Sequence, residues 1–345
     1  MCPFNHELIA VFRDLLTTAP NPRVIWDAFG RRLGGVLKTT HSRGEPEVIR
    51  AVVQAFRPRR NRERFALDLS DYHRNYIRTK WGLAATSAQL SVWVTEYHQI
   101  PFASNHAAPS AREFADIGFL TSYRLGHLVE GMANFTQMKK VRRNGKTKVE
   151  MGQFLVYKCD DVVSLGKIKK PGSKTQFTLS TYDMLGEFRF YWLIAEDLGS
   201  TDVFRRIAGP PPLFVIGGDG YVPQLWPLLE DTTSNLSLFF SVHGLEYLLG
   251  LAGISTPCGS PNTRTVTLGL ANQEPQAAHA RINTEKFLDD ILLMAHGIHY
   301  RFVDDLAQCA SEVESALSRR VEESMPDRTF PIVTIEVSLS DERRD

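Results

Sequence analysis

The spacing of apolar residues changes once along this chain, and that change restricts the possible folds more than any other feature. Up to about residue 138, apolar side chains recur every three or four positions, which is the period of a helix with one buried face. From Met138 the run MKKVRRNGKTKVEMGQFLVYK alternates on both sides of Asn144-Gly145, a strong short-range signal of a type I′ β-hairpin. The pattern therefore predicts a helical amino-terminal half with one inserted hairpin near residues 139–157.

Five segments of the amino-terminal half carry the helical period. The third is followed by Pro58, which ends it. The fifth begins at Ser110-x-x-Glu113, a capping box, and its apolar stripe continues to Phe135. The predicted helices cover residues 5–16, 22–37, 45–56, 70–97 and 110–135.

The carboxy-terminal half is predicted to be built around one long amphipathic helix over residues 284–325, with two helices broken near Gly297 as the alternative. The apolar stretch 236–254 is expected to be a buried core helix rather than a membrane span, because it contains Glu246 and lacks flanking Lys or Arg. Strands are expected over 175–181 and 330–339, and residues 187–194 fit either a strand or a helix.

The fold class predicted from these elements is α+β, predominantly α-helical. The run Gly209-Pro210-Pro211-Pro212 can continue neither a helix nor a strand, so it is the best candidate boundary. The expected domains are a basic, mainly helical one over residues 1–208 and an acidic helical one over 213–345, although the two could form one continuous domain.

The charge of the chain is divided between its halves, although the whole sequence carries a net charge of only +1. Residues 1–174 hold 28 Lys and Arg against 15 Asp and Glu, a net charge of +13, and residues 175–345 hold 12 against 24, a net charge of −12. This division is typical of proteins whose basic part contacts a polyanion, or of copies that associate head to tail.

The first basic segment follows the third predicted helix. Five arginines lie within eight residues, and Tyr72, Tyr76 and Trp81 follow them. Guanidinium groups pair bidentately with phosphate, and nearby rings can stack on bases. The alternative is a surface loop that pairs with acidic faces of the same protein. The nucleic-acid candidates in this segment are Arg57, Arg59, Arg60, Arg62 and Arg64.

The second basic segment is the predicted hairpin with the lysines after it, where residues 139–174 hold 11 basic residues against 3 acidic ones. A two-stranded basic ribbon can follow a phosphate backbone without distinguishing bases. The alternative is a solubilising hairpin, since lysines on an edge strand discourage aggregation. The candidates in this segment are Lys139, Lys140, Arg142, Arg143, Lys146, Lys148, Lys169 and Lys170.

Two short strings resemble enzyme motifs. Gly217-Gly218-Asp219-Gly220 resembles the GGDG motif of diacylglycerol kinases, NAD kinases and phosphofructokinases, and that resemblance implies a phosphotransferase using Asp219. The interpretation favoured for this string is a glycine turn. The segment 300–305, YRFVDD, resembles the paired-Asp motif of reverse transcriptases, but its flanks keep the helical period, which favours a solvated helix face.

Metal and nucleophile chemistry have little support in the sequence. His296 and His299 lie on one face of the predicted long helix, but zinc would need a third ligand from elsewhere. The sequence contains no P-loop, GxSxG or HExxH motif. We therefore predict no catalytic residues, no metal site and no cofactor.

The four cysteines, Cys2, Cys159, Cys258 and Cys309, are widely spaced and form no CxxC pair, so a reducing compartment is expected. The amino terminus lacks the basic region of a secretory signal. The expected location is the cytoplasm or a virion, with no membrane contact.

The function that best fits this sequence is non-enzymatic. We predict a self-assembling structural protein of the viral capsid or nucleocapsid kind, which contacts nucleic acid, RNA more than DNA, through phosphates. Copies would associate through the acidic half and the long helix. The alternatives are the phosphotransferase and a DNA-binding replication or regulatory protein whose basic hairpin acts as a wing.

Overall fold

A computed structural model describes most of the amino-terminal half of the chain and shorter parts of the remainder. The described residues are 5–57, 63–97, 102–105, 108–113, 115–158, 162–165, 175–178, 184–185, 189–196, 237–257, 264–270, 291–294, 297–299 and 330–341.

The helices are concentrated in the first 81 residues. A π-helical turn, Trp26–Gly30, joins the second helix to the third. The α-helices are α1 (His6–Thr17), α2 (Asn21–Ile25), α3 (Arg31–Thr40), α4 (Glu45–Phe56), α5 (Asp71–Trp81), α6 (Met151–Lys158) and α7 (Val242–Leu251).

The strands begin before α5 and continue to the end of the described chain. They are β1 (Glu63–Leu67), β2 (Ala85–Tyr97), β3 (Phe102–Asn105), β4 (Ala108–Glu113), β5 (Ile117–Leu125), β6 (Leu128–Val141), β7 (Lys146–Glu150), β8 (Val162–Leu165), β9 (Thr175–Thr178), β10 (Met184–Leu185), β11 (Arg189–Ala195), β12 (Ser237–Ser241), β13 (Thr265–Gly269), β14 (Gly297–His299) and β15 (Phe330–Asp341).

The main sheet joins strands from distant parts of the chain in the order β1-β2-β15-β5-β6-β11-β12. β14 pairs with β6 beside β11, and also with β10. The pairs β15–β5 and β6–β11 are parallel, whereas β2 is antiparallel to both of its neighbours. β15 therefore completes the amino-terminal part of the sheet by lying between β2 and β5. Two smaller sheets contain β13-β7 and β4-β3-β8-β9.

Aromatic contacts hold the amino-terminal helices against one face of the main sheet. Phe12 of α1 stacks on Tyr123 of β5 with ring centroids 4.8 Å apart, and Phe56 of α4 meets Phe119 of β5 edge-on at 6.1 Å. Tyr123 and Phe119 point to the same face because they lie four residues apart on one strand. This burial of apolar helix faces is what stabilises short helices in a folded chain.

Helix α6 covers the opposite face, at β6 and β11. The ring of Phe154 lies 6.3 Å from that of Tyr191, and Gln153 donates a 2.6 Å hydrogen bond to Gln137. The strand registers place Gln137 and Tyr191 together on the face opposite Tyr123. The sheet is therefore covered by helices on both faces at this point.

The prediction of a predominantly α-helical fold is wrong, because the described chain is a mixed α/β protein built on a mixed sheet. The same finding overturns the prediction that the protein, as a capsid or nucleocapsid subunit, is α-helical. The helices predicted over 5–16, 22–37 and 45–56 are confirmed as α1, α2 with α3, and α4.

The helix predicted over 70–97 ends at Trp81. Gly82 takes the left-handed conformation at φ 66°, which ends α5, and residues 85–97 form β2. Within β2 the buried Ala88, Leu90 and Val92 alternate with more polar residues. That period of two is the signature of a strand, so the sequence did contain the correct signal.

The helix predicted over 110–135 is also wrong, since these residues belong to β4, β5 and β6. β5 and most of β6 are buried on both faces, so their apolar residues do not alternate. The turn between them has Gly126 at φ 57° and no positive φ at His127, the pattern of a type II′ hairpin turn.

The carboxy-terminal predictions are corrected in part. The single long helix predicted over 284–325 is wrong, because Gly297–His299 within that range form β14. The alternative of two helices broken near Gly297 falls mostly outside the described residues. The apolar stretch 236–254, predicted as one core helix, is β12 followed by α7. The strand predicted over 330–339 is confirmed as β15, and the ambiguous stretch 187–194 is the strand β11. The proposed domain boundary at 209–212 and the four cysteines lie outside the described residues.

Candidate nucleic-acid interface

A turn forms at the predicted position, but β6 and β7 on its two sides belong to different sheets and do not form the predicted two-stranded hairpin. The geometry of the turn also differs from the expected type. The carbonyl of Arg142 accepts a 2.8 Å bond from the amide of Gly145, and the amide of Arg142 donates a 2.9 Å bond to Lys146. Gly145 has φ 69°, whereas Asn144 does not have positive φ. This is a three-residue loop with glycine in the left-handed position, not the type I′ turn, which needs positive φ at both central residues.

The strand after the turn pairs with a distant part of the chain. β7 is antiparallel to β13, with Lys148 opposite Thr267 and Lys146 opposite Gly269. The amide of Leu270 also donates a 2.7 Å bond to the carbonyl of Gly145, which fixes the turn to the end of β13. The second strand is shorter than predicted, because residues 151–158 form α6.

The burial of β7 alternates along the strand and separates its charges from its apolar side chains. Thr147 and Val149 are buried, whereas Lys146 and Lys148 are exposed. Two residues apart on one strand, the two lysines lie on the same face with about 6.7 Å between their Cα atoms. The ribbon of β7 and β13 therefore presents its lysines to solvent on one side.

The first two lysines of the segment are engaged within the fold. Lys139 lies 3.3 Å from the carboxylate of Glu45 at the start of α4. The ammonium of Lys140 lies 3.5 Å from the carbonyl of Ala195, and burial lowers the pKa of Lys140, although the nearby carboxylates of Glu196 and Glu45 oppose that shift. These two predicted site residues are thus less available to a ligand.

Four exposed cations remain between the end of β6 and the middle of β7, and we call them the basic turn: Arg142, Arg143, Lys146 and Lys148. Within the described part of the chain, no hydrogen bond or ion pair engages their side chains. Unpaired cations held on a hydrogen-bonded turn can bind phosphate without first breaking an internal ion pair.

Only the two ends of the first basic segment are described. Arg57 follows α4, and Arg64 lies on β1 opposite Ser91; both are exposed. Helix α4 connects the two basic segments, because Glu45 at its start contacts Lys139 and Arg57 follows its last residue. At 1.5 Å per residue, the two ends of α4 are about 18 Å apart.

Other predicted residues of the basic segments cannot be placed. Arg59, Arg60, Arg62, Lys169 and Lys170 lie outside the described residues. So do Asp219, His296 and the string 300–305, and for His299 only the backbone, in β14, is described. Among the described residues, no group of three His, Cys, Asp or Glu side chains could hold a metal ion.

The aromatic residues expected beside the arginine loop follow β1 in the chain. β1 runs between the loop and α5, which carries Tyr72, Tyr76 and Trp81. Helix α5 connects β1 to β2 at the end of the sheet where β5 turns into β6, as the packing of Leu83 near Gly126 also shows.

Among the described residues, opposite charges of the two halves meet within one chain at two places. Arg124 lies 3.2 Å from Glu336, and Lys158 lies 2.6 Å from Glu246. The self-association that the charge division suggests stays a prediction.

Sequence reasoning missed the partner of the basic turn, β13, which lies more than 100 residues further along the chain. Its short run TVTLG has the alternation of a strand, but no local feature identifies β7 as its partner.

The helices of the described chain include none that is both long enough and apolar enough to cross a membrane. No protein-family model, curated protein or solved structure matches this chain.

Proposed function

We propose that this protein binds the phosphate backbone of nucleic acids through the basic turn, in a role that does not require catalysis. The observation that carries the proposal is the grouping of Arg142, Arg143, Lys146 and Lys148, four exposed cations within seven residues. Their spacing suits contact with successive phosphates, whose negative charges dominate the affinity of most nucleic-acid-binding proteins.

The hydrogen bonds of the turn support a binding role. Gly145 is fixed at both of its backbone groups, to Arg142 and to Leu270, and the side chain of Asn144 accepts a 3.1 Å bond from the amide of Lys146. A ligand would not have to order this backbone, so less conformational entropy would be lost on binding. Contacts of this kind recognise phosphate rather than base sequence.

Replacement of all four cations of the basic turn by Gln tests the proposal. The matched control is the fourfold Gln variant of Arg23, Arg31, Lys38 and Arg50, exposed cations of α2, α3 and α4. Both variants lose the same charge, so a general electrostatic effect would weaken binding equally. Fluorescence anisotropy at about 0.1 M salt should show at least about a tenfold loss of affinity for the basic-turn variant alone.

The two possible ligands are compared in the same experiment. Labelled single-stranded RNA and duplex DNA of unrelated sequences should both lose affinity, since the contacts are to phosphates. Equal affinity of wild type and the basic-turn variant for both ligands would contradict the proposal. It would favour the alternative that these side chains only keep the ribbon soluble.

A further inference from the structure

Three side chains at the junction of α1 and α5 are joined by hydrogen bonds that the proposed function does not use. The hydroxyl Oγ of Ser70 lies 2.6 Å from Nδ1 of His73, and Nε2 of the same ring lies 2.9 Å from Oδ2 of Asp14. Because a carboxylate only accepts hydrogen bonds, Nε2 of the neutral ring carries the proton and Nδ1 accepts from the hydroxyl. A hydroxyl, an imidazole and a carboxylate joined in this order are the groups that activate a serine for nucleophilic attack.

The two ring nitrogens have exchanged places relative to the usual Ser-His-Asp triad, in which Nε2 faces the serine. This exchange leaves the chemistry unchanged, because either nitrogen of a neutral imidazole is basic when the other carries the proton. His73 is only 3% exposed and is held between its two partners, whereas Ser70, at the start of α5, is partly exposed. The base is therefore fixed in orientation, and its nucleophile lies at the protein surface.

Capping of α5 explains only part of this geometry. As the residue before the helix, Ser70 accepts a bond from the amide of His73, but that bond is long, at 3.4 Å. The short contact of the hydroxyl is with the imidazole, and a cap requires neither that contact nor a carboxylate on the far side of the ring. A hydroxyl proton directed at a fixed base is instead what a nucleophile requires.

The start of α5 also provides the other groups that acyl transfer needs. The amides of Asp71 and Tyr72 occupy the first two helical positions, which have no carbonyl partner within the helix. Amides at this end of a helix stabilise negative charge, such as that of the oxyanion formed when a serine attacks a carbonyl. The carboxylate of Asp71 is itself paired with Arg74 at 2.9 Å. The ring of Tyr72, 66% exposed, lies 5.6 Å from that of His73, and this apolar surface beside the base favours a substrate with an apolar acyl group.

We infer that Ser70 and His73, positioned by Asp14, form a catalytic site that hydrolyses esters with apolar acyl groups. This activity goes beyond the proposed function and does not depend on it. Oγ of Ser70 bonds to the carbonyl carbon of the ester and gives its proton to Nδ1 of His73, and the alcohol leaves with that proton as its C–O bond breaks. Water then bonds to the acyl carbon and gives a proton to Nδ1. The acid leaves as the bond to Oγ breaks, and Oγ regains its proton from Nδ1.

The test measures hydrolysis of p-nitrophenyl butyrate by wild type, Ser70→Ala and Ser70→Asn. Both substitutions remove the nucleophile, but Asn is also a good helix cap, so Ser70→Asn separates the loss of chemistry from the loss of the cap. Ser42→Ala, in the exposed turn between α3 and α4, is the matched control. These variants all keep the ten histidines of the chain, so hydrolysis by exposed imidazoles is the same background in each. Circular dichroism checks that each variant is folded.

Both Ser70 variants should lose at least about a hundredfold in kcat/KM, and Ser42→Ala should stay within about twofold of wild type. Asp14→Asn should lower kcat at least about tenfold with KM almost unchanged, because it disturbs the tautomer of the base but not substrate binding. A fluorophosphonate probe should bond to Oγ of Ser70 with loss of HF, and mass spectrometry of peptides locates the adduct. Hydrolysis that Ser70→Asn retains in full, or a wild type that neither hydrolyses the ester nor takes up the probe, would overturn the inference.

Discussion

The imidazole Nε2 of His73 lies 2.9 Å from Oδ2 of Asp14, and this contact joins α5 to α1. The other ring nitrogen, Nδ1, lies 2.6 Å from the hydroxyl of Ser70, the residue that caps α5. Because a carboxylate only accepts hydrogen bonds, Nε2 donates to Asp14, and in the neutral ring Nδ1 accepts from Ser70. One buried side chain therefore holds both the start of α5 and its contact with the neighbouring helix.

Replacement of His73 by Ala should lower the free energy of unfolding by about 1–3 kcal/mol, because two hydrogen bonds and a buried ring are lost. Urea denaturation followed by circular dichroism measures this change. The matched control is His127→Ala at the exposed turn after β5, which should remain within about 0.5 kcal/mol of wild type. Equal effects of the two substitutions would show that His73 does not hold α5.

Arg13 fixes the buried segment 291–294 to α1. Its Nε and Nη2 atoms each donate a 2.6 Å bond, to the carbonyls of Leu293 and Met294. Arg13→Lys keeps the charge but cannot reproduce the two-pronged geometry, so we expect a loss of about 1.5–3 kcal/mol. Arg23→Lys, at an exposed position of α2, should have almost no effect in the same denaturation experiment. A similarly small effect at Arg13 would mean that these bonds contribute little.

The stability of the protein should decrease at alkaline pH because of Tyr123. Burial raises the pKa of Tyr123 above its ordinary value, although nearby Arg13 opposes the shift, and its hydroxyl donates a 2.6 Å bond to the carbonyl of Leu292. Above about pH 10 the unfolded chain releases this proton while the folded protein keeps it, so the free energy of unfolding falls as pH rises.

Tyr123→Phe removes this proton, so the decline between about pH 9 and 11 should be shallower in the variant than in wild type. Denaturant unfolding at several pH values measures the slope, and Tyr72→Phe, which removes an exposed phenol, is the control. Parallel curves for wild type and Tyr123→Phe would contradict the account of a buried phenol.

Gly145 allows the left-handed conformation that the basic turn requires. Its φ of 69° is costly for a residue with a side chain, so Gly145→Ala should destabilise the protein by about 1–2 kcal/mol. Gly145→Asn should cost less, because Asn tolerates this conformation. Gly35→Ala within α3 has open space around the added methyl and should stabilise by about 0.5–1 kcal/mol. Equal changes in stability for Gly145→Ala and Gly35→Ala, measured by thermal or urea unfolding, would contradict the turn geometry.

Local patterns in the sequence are sufficient to predict a helix or strand that buries only one face. The stripe of α1, with Leu8, Phe12 and Leu15 buried, has the period of its helix, and Asn5 caps it as a short polar residue should. β5 and β6 have no such pattern, since helices or strands cover both of their faces. Their apolar residues therefore show no period of two, and the sequence alone predicts a helix there.

The sequence predicts which cations lie near the candidate site, but not which of them are free to bind a ligand. The sequence identifies Lys139 and Arg142 as equivalent cations, yet Lys139 contacts Glu45 whereas Arg142 is exposed. That difference depends on the position of α4 across the sheet, which no local feature of the sequence determines. The pairing of β7 with β13 likewise depends on tertiary contacts between distant segments.

The salt dependence of nucleic-acid binding tests the central claim most directly. Each phosphate contact releases a counterion, so log K falls with log salt by about 0.7 per phosphate on a single strand. If Arg142, Arg143, Lys146 and Lys148 all contact phosphates, their replacement by Gln should flatten this slope by almost three units. The fourfold control on α2, α3 and α4 should keep the wild-type slope. An equal slope for wild type and the basic-turn variant would contradict the account.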